Sequence, residues 1–143
     1  MKNIWIALVL LLTVSACLPD KKGKKDPEPD LSGRYAISRL VVDNATPPLN
    51  LSLPADLSDG RRLSAVVVVS KLSDTQIRFH IDTDVDGRVE VGSNADVTIQ
   101  KASGRDYDLI KNGNRNRVGF INGTDFSIDV TQAGKRTAII AKK

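Results

Sequence analysis

The chain has 143 residues, a formal net charge of +4, 41% hydrophobic and 4% aromatic residues, one cysteine and one histidine. A lone cysteine excludes an internal disulfide framework, and a lone histidine excludes a multi-histidine zinc site. The charge is too weak a bias to point to nucleic acid, and the basic residues do not cluster with aromatics as such a surface requires.

The first segment runs from Met1-Lys2-Asn3 through an apolar stretch, Ile4 to Val14, broken only by Thr13. The small pair Ser15-Ala16 then precedes Cys17. A basic start, an apolar core and a small-residue cleavage site form the layout of a secretory signal. The apolar run is shorter than the roughly 20 residues a spanning helix needs. Val14-Ser15-Ala16-Cys17 resembles the lipobox of bacterial lipoproteins, with Val14 in place of the usual leucine. That resemblance implies a diacylglyceryl group on the Cys17 sulfur, cleavage after Ala16 and acylation of the new amine. It also resolves the oddity of a free thiol in an oxidising compartment. The expected organisation is a signal peptide over 1–16, a lipidated cysteine and tether over 17–30, and one domain over 31–143. The membrane is then a partner through the lipid on Cys17.

The tether reads LPDKKGKKDPEPD from Leu18 to Asp30. Its lysines, acids and prolines cannot bury enough apolar surface to offset ordering entropy, so it is read as an extended or disordered spacer. In enterobacterial lipoproteins an aspartate after the cysteine marks inner-membrane retention. Leu18 stands there, so the resemblance favours an outer-membrane address in the cell envelope.

From Leu31 onward no stretch keeps a helical period. Short alternating runs are separated by glycine-bearing turns, the pattern of an antiparallel all-β domain. Strands are predicted at 33–42, 62–72, 76–84, 88–101 (with a break at Gly92), 105–111, 114–121, 125–131 and 135–141. Eight strands in an up-and-down meander suffice to close a barrel around side chains or one small ligand. Matching of faces favours three-residue loops at Val85-Asp86-Gly87, Ala102-Ser103-Gly104 and Gln132-Ala133-Gly134. These set Ile81 opposite Val91, Ile99 opposite Tyr107 and Ile128 opposite Ala138. A two-residue turn at Asn112-Gly113 sets Tyr107 opposite Val118, whereas the register at Asn122-Gly123 stays open.

Leu31-Ser32-Gly33-Arg34-Tyr35 is similar to the Gly-x-Trp opening of the calycins, the lipocalins and their relatives, with Tyr35 replacing the tryptophan. The resemblance implies a lipocalin-like barrel with a basic residue of a late strand over that ring, for which Lys135 and Arg136 are candidates. It also implies a lid between the first two strands. The connection over 43–61 carries Leu49, Leu51, Leu53 and Leu57, with a single helical turn expected within 54–59. It reads either as a flap over the barrel mouth or as a leucine plug.

Inward candidates are Tyr35, Ile37, Val66, Val68, Phe79, Ile81, Val97, Ile99, Tyr107, Val118, Phe126 and Ile128. Of these, Tyr35, Phe79, Tyr107, Val118 and Phe126 are the expected ligand-binding residues. Asp82, Asp84 and Asp86 with Gly87 match the start of a calcium loop, and Glu90 would add a fourth acid opposite Asp82. Ser93 stands where the bidentate glutamate belongs, so alternating acids on an outer strand face are the preferred explanation and no metal is expected. His80 shares the polar side of its strand with Arg78 and Asp82, no activated nucleophile accompanies it, and neither an enzyme nor a cofactor is expected. Arg105, Lys111, Arg115 and Arg117 gather positive charge around one hairpin, read as a solvated face. The expected function is an anchored envelope lipoprotein binding a small apolar or amphipathic ligand. The alternative is a filled barrel acting as a structural or protein-interaction module of the envelope.

Overall fold

A computed structural model of the chain describes residues 27–111 and 115–143. Cys17, the signal segment and most of the tether lie outside the described residues. The strands are β1 (Gly33–Val42), β2 (Leu49–Ser52), β3 (Ala55–Asp56), β4 (Arg62–Ser73), β5 (Gln76–Val85) and β6 (Arg88–Val91). They continue as β7 (Ala95–Lys101), β8 (Tyr107–Ile110), β9 (Arg117–Ile121), β10 (Asp125–Gln132) and β11 (Lys135–Lys142). All pairings are antiparallel. The ring runs β1-β11-β10-β9-β8-β7-β5-β4 and closes where β4 pairs β1, a barrel of eight staves with up-and-down connectivity. Every predicted strand is present, and the predicted 88–101 strand breaks after Val91 into β6 and β7.

β2, β3 and β6 stand outside the ring and change several expectations. The 43–61 connection is not a flap; it packs Leu51 and Leu53 on the core, but as two short strands and not as a loop. β2 pairs the upper half of β1, with Val42 opposite Leu49, while β3 pairs the start of β4, with Ala55 opposite Leu63. The two short strands wedge into the seam where β1 and β4 diverge. Leu53 is buried there and Leu51 packs on the core beside it. Leu57 to Gly60 forms a turn, and no helix occurs at 54–59.

Two of the three predicted three-residue loops are instead two-residue turns. Asp86-Gly87 joins Val85 to Arg88, and Ala133-Gly134 joins Gln132 to Lys135. All four residues have positive φ, between 52° and 83°, the two-residue conformation that matches the twist of a hairpin. Face matching failed at the first turn because it assumed that Val89 and Val91 belong inside; β6 has no interior to face. At the second, the two-residue turn itself sets Ile128 opposite Ile139 and Phe126 opposite Ala141, so Ile139 and Ala141 face inward and Ile140 is exposed. The turn near Gly104 keeps its faces but slides by two residues, setting Ile99 opposite Leu109. The β8–β9 ladder sets Tyr107 opposite Ile121 instead of Val118, with the bulge after Leu109 supplying one residue of that shift, while the expected Asn112-Gly113 turn lies outside the described residues. At Asn122 the open register resolves: its N–H bonds the Asp125 carbonyl across Gly123-Thr124.

The interior is filled. Tyr35, Phe126, Ile77, Leu109, Ile121 and Val67 are each less than 2% exposed. Tyr35 and Phe79 both pack against the Phe126 ring, with centroids 5.9 and 5.5 Å away. Each such side chain contributes about 1.5–3 kcal/mol on burial. On β4 the inward residues are Ala65, Val67 and Val69, and the expected Val66 and Val68 lie on the outer face. Four consecutive valines carry no alternation, so sequence left their parity to chance.

The rim holding Gly33 is sealed over Tyr35, with a cleft of about 390 Å3 left beside Tyr107. Leu31 enters the core and its carbonyl accepts the Tyr35 hydroxyl at 2.8 Å. Lys143 Nζ donates to the Ser32 carbonyl at 2.7 Å and lies 5.8 Å from the Tyr35 ring centre. The basic residue over the aromatic ring is therefore Lys143, whereas Lys135 and Arg136 sit at the opposite rim. The register explains this: Ala36 faces Lys142, so the next residue of β11 reaches Tyr35.

Gly119 permits the close approach of β9 and β10, since a Cβ there would overlap the Ser127 carbonyl. Gly119→Ala should lower unfolding free energy by about 1–3 kcal/mol, read as a shifted urea midpoint at constant slope. Burial, with the Asp30 carboxylate adding to it, pushes the Tyr35 phenol up to about 12. Below about pH 10 folded and unfolded chains both keep this proton. Between about 10 and 12 only the folded chain does, so stability falls as pH rises through that window. Tyr35→Phe loses the Leu31 hydrogen bond, about 1 kcal/mol. Its stability deficit should nevertheless shrink from pH 8 to pH 11.5, and an unchanged deficit would contradict the buried phenol.

Candidate functional site

The opposite rim, where β1 ends at Val42, is open. β5 uses its first half, Gln76 to Phe79, to pair β7 and its second half, Asp82 to Val85, to pair β6. At the crossing the Gly92 N–H bonds the Ile81 carbonyl at 2.8 Å, and β6 peels away from the stave that follows it. The gap exposes the inner wall of the mouth. A cleft of about 390 Å3 lies there, lined by Phe79, Val97, Val118, Ile128 and Val130 with Ala95, Asp96, Lys111 and Gln132 around them. Its size falls at the lower end of small-ligand pockets, about 300–1,000 Å3.

Each apolar wall residue arrives by simple strand geometry. Ile128 and Val130 continue the inward alternation of Phe126 along β10. Val97 shares the inward face of β7 with Ile99. Val118 is delivered by the β8–β9 bulge, which leaves it between Arg117 and Gly119 without a direct partner on β8. The polar groups stand at the edge. Asp96 is clamped by Arg78, with Nε and Nη2 donating to its two carboxylate oxygens at 2.6 and 2.8 Å. That hydrogen bonding holds the Asp96 carboxyl below the usual carboxylate range.

The five expected ligand-binding residues separate into three places. Phe79 and Val118 line the mouth cleft. Tyr35 and Phe126 are wholly inside the packed core, where no ligand reaches them. Tyr107 faces the sealed rim and lines a second cleft with Leu31 and Ile99, edged by Glu28, Lys71 and Lys101. There the Lys101 Nζ lies 5.7 Å from the Tyr107 ring centre and 3.6 Å from the Glu28 carboxylate. Val97 and Ile128 stood among the inward candidates, whereas Val130 and Ala95 were missed. The alternation Phe126, Ile128, Val130 could have identified the first of these.

The acids of the calcium-like motif are engaged one by one and do not converge. Asp84 accepts the Gly87 N–H at 2.6 Å, closing the turn, and Asp86 accepts the Arg62 N–H at 2.9 Å. Asp82 is buried on the outer face, 3.1 Å from Arg34 Nη1 and 3.3 Å from His80 Nε2. Glu90 faces Thr83 and not Asp82, so it projects to the other side of the sheet. Among the described residues no group of three or more His, Cys, Asp or Glu side chains is arranged to hold a metal. The positive hairpin is likewise dispersed: Arg105 lies at the sealed rim, while Arg117 at the open rim pairs Asp108 at 2.7 Å.

Compared with protein-family models, curated proteins and solved structures, the chain matched none of them.

Proposed function

We propose that the chain is a lipid-anchored envelope protein whose calycin-like barrel binds a small apolar or amphipathic ligand at its open mouth. The observation that carries this reading is the apolar cleft of about 390 Å3 between β5, β7, β9 and β10. Phe79, Val97, Val118, Ile128 and Val130 would cover the apolar body, and Lys111 and Gln132 would meet a polar end. The calycin resemblance gains support from Lys143 over the Tyr35 ring, the placement those families give a late basic residue. The described chain enters the barrel at the sealed rim, through Asp30 and Leu31, so an anchor at Cys17 would leave the mouth pointing away from its point of attachment.

A second reading rests on the filled interior. A barrel whose centre is occupied by Tyr35, Phe126 and Leu109 needs no ligand for stability, and would suit an envelope module that meets another protein through its loops. Binding of an environment-sensitive naphthylamine dye separates the two. The mouth reading expects saturable fluorescence enhancement, weakened about tenfold or more by Val118→Glu, which places a charge on the apolar wall. Lys101→Ala, at the sealed rim, should leave the dye affinity unchanged. No enhancement, or equal loss from both variants, contradicts the mouth site.

The anchor has its own test. Cys17→Ala should move the full chain from the membrane to the soluble fraction, and continued sedimentation with membranes would count against lipidation.

A further inference from the structure

β6 is bonded on one side only. Val85 stands opposite Arg88 and Thr83 opposite Glu90, with Gly92 bonded to Ile81. In an antiparallel ladder closed by a two-residue turn, alternate residues of a strand direct their backbone groups at the partner. Arg88, Glu90 and Gly92 therefore bond β5, and Val89 and Val91 turn their N–H and C=O groups outward. Among the described residues no strand takes that outer edge. The Val89 and Val91 side chains are 56% and 70% exposed. A short β-branched strand with open backbone groups is a template for pairing with another strand.

The charge pattern selects the occupant. Edge strands are commonly protected by charges, but here the flanking charges have opposite signs, Arg88 and Glu90 on either side of Val89. When two copies of β6 meet antiparallel about Val89, each arginine stands opposite the glutamate of the other copy. The two-fold axis makes that match twice. Neighbouring registers that still pair the outward valine backbones set glutamate against glutamate or arginine against arginine. Directly opposed like charges are destabilising on a sheet, so the Val89-centred register is favoured over both neighbours, and of the three it alone sets opposite charges face to face.

We propose that β6 is a self-pairing edge: two copies of the chain associate by antiparallel pairing centred on Val89, with Arg88 of each against Glu90 of the other. Such a contact is isologous and closes at the dimer. Four residues on each side bury far less than the roughly 800 Å2 per partner of a standard interface, so association is weak.

The test uses the full chain in detergent micelles, with protein mass followed by sedimentation up to about 1 mM. A concentration-dependent dimer is expected. Arg88→Glu and Glu90→Arg should each weaken it about tenfold or more, because each turns two attracting pairs into repelling ones. The double reversal should restore association to within about threefold of the wild type, since it rebuilds both pairs. Val89→Pro should abolish the dimer while sparing the β5 ladder, because the lost N–H points away from β5. A chain that stays monomeric throughout overturns the proposal. So does a dimer indifferent to the single reversals or to Val89→Pro, or a double reversal that remains monomeric.

Discussion

The structure depends on the bonding of β1 along both of its edges. An eight-stave sheet that failed to join its ends would present two long unpaired edges, each open to aggregation. Here Gly33 to Ala36 pair Val66 to Val69 of β4, and the same strand pairs β11 from Ala36 to Val42. The bulge between Ile37 and Arg39 lets β1 bend from one set of partners to the other. Once that seam closes, the inner faces have nowhere to pack except against each other. Tyr35 is the residue that uses this: it lies at the seam, fills the centre with Phe126, and ties Leu31 and Lys143 over the rim.

The two rims differ because the seam is handled differently along its length. Near Gly33 the ring is complete, and Leu31 with Lys143 covers it. Toward Val42, β1 and β4 diverge and the β2–β3 wedge fills the space with Leu51 and Leu53. Between β5 and β7 no such wedge is present. β6 follows β5 outward, and the apolar wall of Phe79 and Val97 meets solvent there. The same departure of β6 thus creates both the mouth cleft and an unpaired edge.

Much of this was legible in the sequence. Alternation and turn residues located all eight staves, and the opening Gly33-Arg34-Tyr35 marked the strand that closes the ring. Parity was lost where alternation vanishes, in Val66 to Val69, and register was lost at the β8–β9 bulge and where turn length departed from the face-matched loop, as at Gly104 and Ala133-Gly134. A bulge adds one residue to one strand and leaves little trace in residue type. The loop rule at Asp86-Gly87 misled for a different reason. It took for granted that valines belong inside, whereas β6 leaves the barrel and carries Val89 and Val91 into solvent. The candidate site suffered from the same limit. The eight-strand barrel and its calycin resemblance suggested a ligand cavity, but Tyr35 and Phe126 are big enough to fill a narrow barrel. What remains accessible is lined mainly by small aliphatics whose role only the strand register reveals.

Hydrogen exchange along the β1–β4 seam tests the closure most directly. If the ring is closed, the amides bonding Gly33–Ala36 to Val66–Val69 exchange only through global opening, as slowly as those joining β10 to β11. An open sheet would instead show those seam amides exchanging at the rate of frayed edges while β10 and β11 stayed protected, and that result would contradict the barrel.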